Sequence, residues 1–170
     1  MTEQEFKIQV LPFAKIVFPL AKRMLASDDR ARDAIQQSML KLWEKRKQLK
    51  DCAHLKAFVF RVVKNTCLDE LKRKKTVGLE SSNLLYVPVD SHEKQVEVQE
   101  TFNMVLKAIG ELPQAQAEVI QLRDIDGLTF AEIASIVGSD EAYVRVLLSR
   151  ARKAIRTKIE KMNAYESKQE

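Results

Sequence analysis

At 170 residues the chain has the length of one ordinary domain or two small ones, on a scale of roughly 100–200 residues per domain. Its 45% hydrophobic and 31% charged residues, with only four glycines and four prolines, belong to a globular and mostly helical protein and exclude a disordered one. A net charge of +5 is too modest to name a partner, so the distribution of charge carries more than its sum.

The N-terminal "MTEQEFK" is acidic and lacks the basic-then-apolar order of a secretion signal. The apolar run from Ile16 to Ala21 is far shorter than the roughly 18 residues needed to span a bilayer. A cytoplasmic chain with no membrane insertion of its own is expected. Ala14, Val17, Phe18, Ala21 and Leu25 define a first amphipathic helix, which Pro19 kinks or shifts in its start.

From Asp28 a second helix carries two stripes. Ile35, Met39 and Leu42 read as core; Gln36, Leu40 and Trp43 form a mixed stripe that is either a core edge or a partner face, and spacing alone favours the core edge. A third helix begins near His54 with Phe60, Val63, Cys67 and Leu71 as its buried row. Arg61, Asn65, Leu68 and Lys72 lie on another face that runs into "KRKK" at Lys72 to Lys75. Cations and an amide on one side could hold single-stranded DNA, although the pattern alone favours a solvated face.

Residues Thr76 to Glu100 carry one lysine against five acids, include Gly78 and Pro88, and show little helical periodicity before about Val96. Structureless loops of that length are uncommon inside a compact domain, so a linker is expected. Beyond it, Val98, Phe102, Val105 and Ile109 recur at helical steps. Pro113 opens a further helix expected to reach about Arg123 and to end in "DIDG".

Thr129 and Glu132 form a capping box ahead of an apolar stripe of Phe130, Ile133, Ala134 and Val137. Gly138 stops that helix and Asp140 caps the next. The last helix buries Val144, Leu148, Ala151, Ile155 and Ile159, while Val146, Ser149, Arg150 and Lys153 face away, with Arg145 and Arg152 at the edge. From Tyr143 to Met162 it carries seven positive residues against one negative. Helix, short turn and basic second helix make a helix-turn-helix, whose early arginines can reach guanine edges and whose later cations meet phosphates.

The expected fold is therefore all-α: two small helical domains joined by a flexible linker, the C-terminal one a four-helix domain containing the helix-turn-helix. The boundaries fall at 1–75, a linker at 76–97, a second domain at 98–163 and a disordered tail at 164–170. No metal site is expected, because Cys52, His54, Cys67 and His92 show no recognised ligand spacing. The two cysteines make no disulfide framework. No cofactor is assigned, and with no phosphate-cradling glycine loop or acid/base pair, an enzyme is not the expectation.

"ARDAIQQSMLKLW", "AFVFRVVKNTCLDELKRKK" and "ELPQAQAEVIQLRDIDGLTFAEIASIVGSDEAYVRVLLSRARKAIR", in this order, resemble the extracytoplasmic-function sigma factors of bacterial RNA polymerase. The resemblance implies a factor that binds core polymerase, recognises two promoter elements and helps open DNA, usually under an anti-sigma factor. It assigns Asp33, Gln36, Gln37, Leu40 and Trp43 to the polymerase clamp, turning the mixed stripe into a partner face. It assigns Arg61, Lys64, Asn65, Lys72, Arg73 and Lys74 to the downstream, minus-ten element, with Asn65 as the base-reading amide. Arg123, Tyr143, Arg145, Val146, Ser149, Arg150 and Lys153 fall to the upstream, minus-thirty-five element, Arg123 near the backbone.

Three positions depart from that pattern. Gln37 stands where an acid is usual, Phe58 where tryptophan is usual, and Val146 and Leu147 where the reading helix is normally polar or basic. The competing reading is a one-component helix-turn-helix regulator, which binds duplex DNA alone and favours two-fold symmetric half-sites.

Overall fold

In the computed structural model, residues 1–75 and 96–166 are described, and their regular elements are all helical. The first half holds α1 (Glu3–Gln9), α2 (Phe13–Leu25), α3 (Asp28–Glu44), a 3-10 turn (Gln48–Asp51) and α4 (Leu55–Lys75). The second holds α5 (Val96–Gly110), α6 (Gln114–Ile120), a π-helical turn (Gln121–Ile125), α7 (Phe130–Val137) and α8 (Glu141–Glu166).

Local chemistry accounts for most of these boundaries. Thr2 and Glu5 cap α1 reciprocally, a helix too short at seven residues to show an apolar period. Ser27 caps α3 through the Arg30 amide. Thr129 accepts from the Glu132 amide at 3.2 Å while the Glu132 carboxylate accepts from the Thr129 amide at 2.7 Å, so the predicted box closes α7. Gly138 ends that helix at φ +70°, a left-handed conformation that costs glycine nothing, and Asp140 accepts from the Tyr143 amide at 2.7 Å to start α8.

Elsewhere the boundaries differ from expectation. The helix around Pro19 runs unbroken from Phe13, sacrificing one backbone hydrogen bond because both its flanks are packed. The helix after Pro113 changes at Gln121 into wider π geometry, with the Asp126 amide donating to the Gln121 carbonyl at 2.9 Å. A tail was expected from residue 164, but neither glycine nor proline interrupts "KMNAYE" and α8 continues through Glu166. The expected linker lies outside the described residues apart from 96 and 97, which open α5; residues 167–170 lie outside them as well.

α4 is the axis of the molecule. α2 and α3 pack on one side of it and α7 on another; Phe60, Val63 and Cys67 are buried as predicted, and Ala57, Val59 and Thr66 are buried as well. Burial pushes the Cys67 thiol up to about 12, in keeping with a core residue. The buried Thr66 hydroxyl donates to the Val62 carbonyl at 3.0 Å and accepts from Lys41 at 3.1 Å. In the second half α6, α7 and α8 enclose Val119, Leu128, Ile133, Val144 and Leu148.

Candidate nucleic-acid interface

On α3, packing of Ala31, Ala34, Ile35, Ser38 and Leu42 into the core leaves Asp33, Gln36, Gln37 and Leu40 exposed on the opposite face. Leu40 is 64% exposed, which rules out the core-edge reading of the stripe for it and for Gln36. Trp43 is different. Its ring is half-buried, edge-on to Phe6 of α1 at 5.1 Å, with the Arg46 guanidinium 4.1 Å from its centroid. The exposed face thus ends at an aromatic that α1 partly covers.

The face of α4 predicted to meet downstream DNA is divided. Asn65, Lys72 and Arg73 are exposed; the Lys74 side chain lies outside the described residues. Arg61 and Lys64 instead turn to the second half of the chain. Arg61 donates to the Ser135 carbonyl at 3.5 Å and lies 5.3 Å from the Phe58 ring, and Lys64 forms an ion pair with Glu118 of α6. Packing of α7 against α4 and the Lys64–Glu118 pair thus engage two of the residues that the resemblance assigned to downstream DNA.

A second contact holds the halves together. Arg23 of α2 and Asp126, just after the π turn, pair at 2.6 and 2.7 Å from one guanidinium nitrogen to both carboxylate oxygens. Their side chains are 5% and 4% exposed. Burial pushes the Asp126 carboxyl above its usual range, only partly offset by Arg23 and Lys56. Neither residue was singled out from sequence, where both read as ordinary surface charges at helix ends.

On α8 the outward arc is as predicted: Tyr143, Arg145, Val146, Ser149, Arg150 and Lys153 are exposed, Val146 at 44%. Leu147 is not part of it. At 6% exposure it belongs to the core, so only Val146 departs from a polar reading surface. Arg152, at the edge of the arc, is committed to Asp124 at 2.6 and 3.0 Å, which raises its already high pKa. Arg123 and Arg145 converge on Phe130, their guanidinium carbons 4.7 and 3.9 Å from its ring centroid. Phe130, expected in the apolar stripe of α7, packs against the core and also receives these two cations, a meeting that the stripe alone does not reveal.

Between α5, the π turn and α8 lies an open apolar groove of about 490 Å³, lined by Phe102, Val105, Ile109, Ile125, Ile155 and Ile159 among others. Among the described residues no cluster of His, Cys, Asp and Glu could hold a metal, and no helix is long and apolar enough to cross a membrane.

With this geometry in view, the sequence matches the family "Sigma-70 region 2" over residues 11–77 and "Sigma-70, region 4" over residues 102–155. It is 26% identical over 147 residues to the RNA polymerase sigma factor SigV of Bacillus subtilis, covering 85% of this chain and 84% of that one. It is 30% identical over 133 residues to the ECF RNA polymerase sigma factor SigM of Mycobacterium tuberculosis, covering 78% of this chain and 66% of that one. A solved structure of the sigma factor RpoE in complex with the anti-sigma factor NepR, from Bartonella quintana, shares the fold. Its TM-score is 0.68 at 20% identity, with 92% of this chain and 98% of that one covered.

Proposed function

The chain belongs to the sigma-70 family, in its extracytoplasmic-function branch, and from that premise we propose how its two halves divide the work of transcription initiation. As an RNA polymerase sigma factor it directs core polymerase to promoters, by binding and not by catalysis. The exposed face of α3, with Asp33, Gln36, Gln37 and Leu40, docks on core polymerase, and Trp43 forms its α1-supported edge. Asn65 reads an unstacked base of the downstream element while Lys72, Arg73 and Lys74 follow its backbone, and Arg61 and Lys64 join them once they leave Ser135 and Glu118.

Arg145 and Arg150, flanked by Tyr143, Val146, Ser149 and Lys153, read the upstream element, and Arg123 meets its backbone. Promoter opening needs no covalent step. Capturing an unstacked base offsets an unpairing cost of a few kcal/mol, and phosphate contacts add a salt-dependent term. By analogy with the inhibitor-bound RpoE structure, an anti-sigma factor is the expected regulator, and the working compartment is the cytoplasm.

The observation that carries this reading is the pair of sigma regions in order on one chain, with an exposed polar-and-leucine face on α3 and an exposed basic arc on α8. The one-component regulator has no such support, since it leaves the α3 face without a role. A gel shift separates the two: with core polymerase the protein retains promoter DNA and creates new start sites in run-off transcription. Tight binding to symmetric duplex DNA by the protein alone would overturn the assignment.

A further inference from the structure

Phe130 is the first residue of α7; Ile133, Ala134 and Ile136 are the fully buried residues of that helix, while the Phe130 ring packs against the core on one side and stays half-buried. Its open side meets two cations brought from different elements, Arg123 from the π turn and Arg145 from the second turn of α8. Two guanidinium groups this close to one ring would otherwise repel, and the negative face of an aromatic quadrupole is what attracts both.

Each arginine also has a second anchor. Arg123 donates to the Leu128 carbonyl at 2.6 Å, and Arg145 to the Glu141 carboxylate at 3.1 Å. The Arg145 side chain remains 57% exposed, so donors are left over for a ligand. A guanidinium held against a ring keeps the in-plane edges that make bidentate bonds to guanine, and it loses less rotamer freedom on binding than a free one.

We propose that Phe130 is a specificity-determining positioning residue for upstream DNA: its ring presets the Arg145 and Arg123 guanidinium groups in the arrangement in which they meet the duplex. This rests on the reading of Arg145 as an upstream contact. An aliphatic side chain at 130 fills the same space but leaves the two cations unguided, so sequence preference falls while fold and polymerase binding persist.

The test uses holoenzyme assembled from core polymerase and the full chain. Wild-type holoenzyme selects from a random duplex pool, and each variant is then measured on the enriched duplex and on a copy with its upstream half scrambled. Phe130→Leu lowers that discrimination roughly three- to tenfold, and Phe130→Tyr retains it. Pentafluorophenylalanine at position 130 keeps the shape but removes the attraction for cations, so it behaves as Phe130→Leu even if the leucine variant proves unstable. Arg145→Ala lowers the preference at least as far, leaving only what Arg150 reads, and adding Phe130→Leu to it costs nothing more. Wild-type discrimination by the pentafluoro variant, or independent effects of the two substitutions, overturns the role of Phe130 alone. An intact preference in Arg145→Ala overturns the reading of Arg145 beneath it.

Discussion

Replacing Asp126 with alanine leaves the Arg23 guanidinium buried without its partner, in a place where its Nε already lacks one. An exposed ion pair would matter little, at about 0–1 kcal/mol. With both side chains about 95% buried, the relevant scale is that of a buried pair broken on one side, about 3–5 kcal/mol. The chain has a way to avoid this cost without unfolding: the two halves part, and Arg23 returns to water. The closed-to-open ratio then falls by about two to three and a half powers of ten. Opening also frees Arg61 and Lys64 from Ser135 and Glu118.

Distances between spectroscopic labels at exposed Glu44 and Thr157, in a Cys52→Ser background, follow the two states directly. Asp126→Ala shifts the distribution to longer separations. The double variant Arg23→Met with Asp126→Leu restores the short one, because apolar side chains of similar size replace a buried pair without its desolvation cost. If Asp126→Ala keeps the wild-type distances, or the double variant is as open as the single, the pair does not hold the halves together.

Because burial raises the Asp126 carboxyl in the closed form, closure binds a proton more readily than the open form does. Its contribution is fully present below the ordinary carboxylate range and is lost as pH rises through the raised value, so the same label distances shorten as pH falls from 7 toward 4. Longer distances on acidification would mean that pairing outweighs burial. Thr129→Ala removes the cap of α7 and costs about 1 kcal/mol, seen as a melting temperature lower by about 2–4 °C in calorimetry; an unchanged transition would contradict the capping role. Leu40→Asp leaves the melting temperature within about 1 °C but weakens core-polymerase binding at least tenfold in a fluorescence titration, since the side chain is outside the core. Full affinity would remove α3 from the docking surface.

The candidate site was legible wherever it depends on neighbours along the chain. The capping box at Thr129, the glycine stop at Gly138, the Asp140 cap and the outward arc of α8 all follow from interactions within a few residues, which periodicity and side-chain chemistry report directly. Leu147, named beside Val146 only as a departure from the family pattern, takes its place in the core through packing that no local spacing reports. Gln36 and Leu40 pose the same problem in reverse: a mixed stripe reads alike as core edge or docking face until the neighbouring helices are in place.

What the amino-acid order determined alone is the helical alphabet of this protein, its basic last helix and its membership of a family, since these are encoded in local spacing and in motif order. What only the tertiary structure decided is which charges meet. Arg23 and Asp126 are 103 positions apart, and nothing in the surroundings of either marks it for burial. Arg123, Phe130 and Arg145 are likewise joined by a turn and a helix crossing rather than by any common period. A charge is surface or latch according to what packs over it, and that is settled by the fold of the whole chain.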